Sequence, residues 1–257
     1  MKAITAYQEV KQKITRDIVN GRYFIGQALP AEKEFAKEFK VSIGTLRKAV
    51  DELVSEGIVI RRQGKGTFIA EHDEQRLLYY FFHVIKHDAD HKNYPKVELV
   101  SFQSATANGE EAKKLQLKEG SPVWRIVNRL SLDGQCVIVD RLTLSKERFP
   151  KLTKLAFKDR EGSIYQLYQA KYGQLVTRTS ERLRAGAASK QDAEWLNIKP
   201  GDPVIIIRRI AIGIEDEPIE WRISTLNTEC HEYFSELGTT FEIPRCCLLY
   251  TSPSPRD

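Results

Sequence analysis

Residues 29–68 read LPAEKEFAKEFKVSIGTLRKAVDELVSEGIVIRRQGKGTF, and the order of signals in this run decides the fold of the amino-terminal part. Pro30 suits the first turn of a helix, where its missing N–H is no loss, and Phe35, Ala36 and Phe39 follow at three-to-four spacing. Lys40 and Val41 make a short turn, after which Ser42 can cap a second helix by accepting from a free backbone N–H. Leu46, Ala49, Val50, Leu53 and Val54 give that helix one apolar face, and Gly57 supplies a left-handed stop. Ile58 to Ile60 then reads as a strand, residues 61–66 as a basic turn with two glycines, and Thr67 to Ala70 as the returning strand. Upstream, Tyr7, Val10, Ile14 and Ile18 form an apolar stripe ended by Gly21, a further helix closing the small core. Three helices and a basic hairpin make a winged helix-turn-helix.

The face of the second turn-flanking helix opposite its apolar stripe carries Thr45, Arg47 and Lys48. In a helix-turn-helix such hydroxyls and cations reach base edges and phosphates of the major groove, although the same residues would also suit a merely solvated helix face. The hairpin tip favours the first reading, because cations there gain from the negative potential of a phosphate or a narrow minor groove. Charge agrees. Residues 1–70 hold 13 Lys and Arg against 8 Asp and Glu, while the other 187 residues hold 27 of each, so the excess of +5 lies entirely on the candidate duplex-DNA reader.

The segment resembles the DNA-binding domain of the GntR family of bacterial transcriptional regulators, in its LPAEKEFA, VSIGTLRKAVDELVSEGIV and RRQGKGTFI stretches. The resemblance implies DNA contacts from Lys33, Ser42, Thr45, Arg47, Lys48, Arg62, Lys65 and Gly66. Lys33 stands where the family often has arginine, losing the guanidinium fork. Ile43 replaces the arginine that commonly follows the capping serine, so the operator sequence does not carry over.

A chain of 257 residues leaves room for a second core. The expected division is a DNA-binding domain at 1–70, a polar linker EHDEQR at 71–76, a second domain at 77–237, and a non-native or disordered tail at 238–257. No stretch approaches the roughly 20 apolar residues needed to span a bilayer, and no secretory signal opens the chain, so a soluble, cytoplasmic protein is expected. Cys136, Cys230, Cys246 and Cys247 show no metal-binding spacing and fit a reducing compartment.

In the second part, Val97–Ala107 reads as a strand, Glu110–Leu117 as a helix, and Val123–Leu132 with Val137–Leu144 as a hairpin around Asp133-Gly134. Ser163–Tyr172 and Lys190–Leu196 read as helices, Val176–Ala185 as a strand, and Val204–Ile214 with Ile219–Leu226 as a second hairpin. Residues 110–144 and 191–226 repeat one order: helix, Gly-x-Pro-Val, basic strand, turn, strand. Hairpins outnumber crossovers, so the fold class is α+β with a mostly antiparallel sheet. This pattern resembles the UTRA effector domain of the HutC subfamily, a chorismate-lyase-like fold that binds a small metabolite and dimerises.

Ser163 opens a helix whose free N–H groups could hold an anion, or it is simply an N-cap. The resemblance adds Asp140, Glu220 and Tyr233 as effector contacts, with Arg129 close to the family's arginine pair and Arg222 beside Glu220. Sugar-phosphate sensors of the subfamily carry Arg-x-Arg where this chain has Asn128 and Leu130, so a doubly charged phosphate loses two clamps. The expected effector is a carboxylate or a sugar derivative, and the expected partners are operator DNA and a second copy of the chain. Read as an enzyme, the lyase-like domain offers no nucleophile elbow, phosphate-cradling loop or metal set. His87, Asp88, Asp90 and His91 lie together without closed-site spacing. The expectation is a metabolite-responsive repressor with no cofactor, no metal and no catalytic residue.

Overall fold

The computed structural model describes residues 5–19, 21–24, 26–70, 81–89, 91–160 and 162–235. The linker proposed at 71–76, Asp90, and the whole of the tail proposed at 238–257 lie outside them.

The amino-terminal part consists of α1 (Ala6–Val19), α2 (Glu32–Phe39), α3 (Ile43–Ser55), β1 (Val59–Arg62) and β2 (Gly66–Ile69). Val10 and Ile14 of α1, Phe35 and Ala36 of α2, and Leu46, Ala49, Val50 and Leu53 of α3 bury one core with Ile58, Val59 and Ile69. Pro30 departs from expectation: α2 starts at Glu32 with Ala31 as its N-cap, so the proline precedes the first turn. Lys40 turns the chain in the left-handed region at φ 55°, and Ser42 caps α3 by accepting from Thr45 N at 3.1 Å. The strand β1 runs through Arg61 and Arg62, confining the wing turn to residues 63–65. Residues 26–29 join the wing as a third strand-like segment, with Leu29 N donating to Thr67 O at 2.7 Å.

The carboxy-terminal part runs β3 (Val84–Lys86), β4 (Lys96–Thr106), α4 (Gly109–Leu115), β5 (Pro122–Leu132), β6 (Gln135–Ser145), α5 (Lys154–Lys158), α6 (Ile164–Tyr172), β7 (Arg178–Ala187), α7 (Lys190–Leu196), β8 (Pro203–Ile212), β9 (Pro218–Asn227) and β10 (His231–Tyr233). Six strands form one antiparallel sheet in the order β4-β5-β6-β9-β8-β7, and β10 pairs with β3 beside it. Asp133 and Gly134, at φ 49° and 83°, make the two-residue turn between β5 and β6. The sequence reading had no counterpart for α5, β3 or β10, which are at most five residues each.

The duplicated units meet at the centre of the sheet, where β6 of one lies antiparallel to β9 of the other. Each helix leans on the opposite unit's strand. Asp192 of α7 accepts from Arg141 of β6 at 2.6 Å, and Lys114 of α4 stacks on Trp221 of β9. The other sheet face packs Ile126, Leu142, Leu144 and Ala211 against Phe149, Phe157, Tyr165 and Tyr168 from α5, α6 and the preceding loop. Leu175, just beyond α6, is buried in the core of the amino-terminal part.

Candidate functional site

Two surfaces draw on the residues that the sequence singled out. On the first, α3 and the wing present Ser42, Arg47, Lys48, Arg62, Lys65 and Gly66 to solvent, with Lys33 exposed on α2 and Thr45 half-buried. The Ser42 and Thr45 hydroxyls are 2.9 Å apart, so the cap also fixes the threonine rotamer. Arg47 forms a fork on Glu32, with Nη2 and Nε donating to Oε2 at 2.6 and 3.2 Å. That bond holds the Glu32 carboxyl below its usual range and ties α3 to α2. Lys48 bends back over the Tyr7 ring at 4.1 Å, towards α1. Arg62 lies over Phe68, its guanidinium 4.9 Å from the ring centre, and Lys33, Arg62 and Lys65 make no ion pair among the described residues. The glycines at the wing tip adopt positive φ, 71° at Gly64 and 111° at Gly66, and a Cβ on either would meet nothing. Conformation, not crowding, calls for glycine there.

The second is a cavity of about 50 Å³ between the sheet and the α5–α6 layer. Strand alternation decides who faces it. Asn128, Asp140 and Ser224 stand in one row across β5, β6 and β9, and Arg209 and Arg222 pair in the next row across β8 and β9. Arg222 is the hub. Its Nε donates to Glu220 Oε1 at 2.8 Å and its Nη1 to Asp140 Oδ2 at 2.9 Å. Asp140 also accepts from the Ser224 hydroxyl, and Glu220, fully buried, accepts from Tyr168 at 2.6 Å. Burial alone would depress the Arg222 guanidinium; Glu220 and Asp140 outweigh it and hold its pKa well above the ordinary value. Arg209 bonds to Glu181, which also accepts from the Tyr233 hydroxyl, and its Nη2 donates to Phe81 O at 2.5 Å.

Asp140 and Arg222 therefore line the cavity, Glu220 stands directly behind Arg222, and Tyr233 lies one layer further out. Ser163 is buried at the start of α6, where its hydroxyl accepts from Gln166 N at 3.1 Å, so the plain capping role is filled. Arg129 is a correction. Its neighbours Asn128 and Leu130 line the cavity, so the two-residue period of β5 turns Arg129 to the opposite face, where it pairs with Glu98 at 2.6 Å. Arg160, Tyr165 and Arg209 are among the lining residues that the sequence did not single out. Arg209 was detectable, since in IIIRRI only one of the adjacent arginines can share a face with the buried Ile207. Nothing in the sequence marked Arg160. Among the described residues no group of three or more His, Cys, Asp or Glu could hold a metal, and no helix is long and apolar enough to cross a membrane.

Residues 6–69 match the family described as bacterial regulatory proteins, gntR family, and residues 91–232 match the UTRA domain. The chain belongs to the GntR family and carries a UTRA domain. It is 28% identical over 213 residues to a probable fructoselysine utilization operon transcriptional repressor of Escherichia coli (strain K12), covering 83% of this chain and 86% of that one. With the HTH-type regulator YurK of Bacillus subtilis (strain 168) it shares 29% identity over 222 residues, 86% of this chain and 91% of YurK. Among solved structures, the ligand-binding domain of a GntR-family regulator from Bordetella bronchiseptica superposes with a TM-score of 0.58 at 27% identity, over 62% of this chain and 99% of that domain. YydK from Bacillus subtilis shares the fold over 91% of this chain and all of YydK, with a TM-score of 0.53 at 18% identity. This GntR protein is a DNA-binding transcriptional regulator, and the enzyme reading is not supported.

Proposed function

We propose that this regulator is a cytoplasmic homodimeric repressor that leaves its operator when a small carboxylate or sugar derivative enters the cavity beside Arg222. The reading divides the chain into a DNA reader ending near residue 70 and an effector-binding, dimerising domain over 77–237. Two readers would set two copies of α3 in major grooves one helical turn apart, about 34 Å, on an imperfect palindrome. Arg47, Thr45 and Ser42 would face the groove, and Lys33, Arg62, Lys65 and Gly66 the backbone and the minor groove. The name of the Escherichia coli relative supports an effector of this kind, since fructoselysine joins a sugar to an amino acid.

The observation that carries the regulatory part is the position of α6. Tyr165 on this helix lines the cavity, Gln169 donates to Ala70 O at 2.7 Å, and Leu175 beyond it is buried in the reader's core. A ligand that repositions α6 therefore acts on the reader through direct contacts, and it shifts DNA affinity only as far as it binds the two arrangements unequally. The test is binding of the purified chain to its own upstream DNA across salt, with and without a panel of carboxylates and phosphosugars, alongside sedimentation to count protomers. Specific, salt-dependent binding by a dimer and its release by one compound are expected. Binding that no compound alters would refute the effector part, and a monomer on DNA the dimer part.

A further inference from the structure

We propose that the cavity takes the carboxylate end of a hydroxy acid or amino acid, with Arg160 as its anchoring cation, Arg222 as the second donor and Asn128 receiving the adjacent hydroxyl or ammonium. This rests on the cavity being the effector site and names the chemistry of what enters it.

The bonding left open by the protein leads there. Of the three guanidinium groups lining the cavity, Arg209 is bonded to Glu181 and to Phe81 O, and Arg222 lies between Asp140 and Glu220. Arg160 has no carboxylate partner among the described residues. Its Nη1 donates to Phe157 O at 2.5 Å, and its Nε is buried without a hydrogen bond. Arg222 Nη2 also makes no hydrogen bond, although it lies 2.7 Å from Glu220 Oε1 in an ion pair. Burial pulls the Arg160 guanidinium below its ordinary value, and repulsion from Arg222 adds to this against opposing contributions from Tyr168 and Tyr94. Two donors on two cations that repel one another thus belong to one cavity, and an anion between them would satisfy both.

Asn128 fixes the rest. It is 3% exposed, lines the same cavity, and its Oδ1 has no donor. A buried carbonyl oxygen repels an anionic oxygen and asks for a hydroxyl or ammonium instead. Donor count and charge separate a carboxylate from a phosphate. Two donors without a hydrogen bond match the two oxygens of a planar carboxylate. A phosphate dianion would need more donors and would sit beside Asp140, a lining carboxylate.

The experiment is calorimetric titration of the full chain with gluconate, Nε-acetyl-lysine, glucose 6-phosphate and inorganic phosphate. At least one carboxylate should bind, about tenfold or more tighter than either phosphate, and Arg160→Gln should weaken it about tenfold while Arg160→Lys restores part. Asn128→Asp should move the preference towards the ammonium-bearing lysine over gluconate by about tenfold, a ratio that a loss of folding would not change. Tighter binding of a phosphate, or carboxylate binding indifferent to Arg160→Gln, overturns the proposal while leaving the effector site standing. Absence of heat with both carboxylates up to about 10 mM overturns it as well; if a deproteinised metabolite extract also leaves operator affinity unchanged, the effector reading itself falls.

Discussion

Replacing Arg222 by Met removes the hub of the buried network and leaves its surroundings intact. Arg222 is 8% exposed, Asp140 3% and Glu220 0%, so two buried carboxylates would lose the guanidinium that bridges them. Breaking a buried ion pair by removing one partner costs about 3–5 kcal/mol, most of it the penalty of the charge left behind. Tyr168 and Ser224 still donate to the orphaned carboxylates, which places Arg222→Met in that range rather than above it. In a chain of this size each kcal/mol moves the midpoint by about 2–4 °C, so a fall of roughly 6–20 °C is expected in calorimetry. Combining Arg222→Met with Asp140→Asn and Glu220→Gln removes the repulsion and should recover more than half of the loss, because neutral groups of the same shape replace the charges. A single variant within about 1 kcal/mol of the parent, or a triple variant no more stable than the single, would refute a network assembled in the free protein.

Three further outcomes follow from particular contacts. His83 is pushed down to about 4, chiefly by burial, so between pH 6.5 and 4 the unfolded chain holds a proton that the folded chain does not. Stability is then full above pH 6.5 and lost as pH falls to 4, by about 3 kcal/mol, and urea midpoints of His83→Gln should flatten over that window. Arg47→Ala should weaken operator binding about tenfold and, where the contact is to phosphate, lower the log–log salt slope by about one; Glu32→Gln, which frees the same fork, should strengthen binding a few-fold, and gel shifts showing neither change would remove Arg47 from the interface. Leu175→Ala removes a side chain buried in the reader's core, at about 2–5 kcal/mol. Amide exchange should rise across α1 and α3 while β5–β9 stays protected, and an unchanged reader would mean the contact carries no load.

The sequence made the reader legible because most local signals agreed with the tertiary outcome. Ser42 is the N-cap it looks like, the stripe from Leu46 to Leu53 is the buried face, and the Asp133-Gly134 turn sets the hairpin register. The cavity was half legible. Asp140 and Arg222 lie on long strands whose alternation can be counted, whereas Arg129 was lost to a one-residue displacement, which in a strand exchanges the two faces. Arg160 was invisible for a different reason: it follows α5, a five-residue helix too short for periodicity, and reaches the site only because the chain returns there to begin α6.

The two faces of the sheet also explain which side can respond to a ligand. On the α4–α7 face the duplicated units close on each other: Glu111 caps α4 together with Asn108 and accepts from Arg125 and Thr143, while Ser189 caps α7 at Asp192 N and the Asp192 carboxylate accepts from Ser189 and Arg141. These bonds tie the helices to the sheet; on this face the buried Arg208 Nε makes no hydrogen bond, its guanidinium pairing with Glu110 of α4 at 3.8 Å. On the α5–α6 face Arg160 Nε, Arg222 Nη2 and Asn128 Oδ1 remain unmatched, and this is also the side that holds both ends of the segment joining the two parts of the chain. Ala70, the last described residue before it, is bonded by Gln169 of α6, and Phe81, the first after it, is bonded by Arg209 and packs edge-on against Tyr165. A group that entered the cavity and drew on Arg209 or Tyr165 would compete with Phe81 for the same atoms. The cavity's unmatched atoms and both ends of the joining segment lie on one face, so a ligand in this cavity would share a free energy with the placement of the reader without any longer path between them.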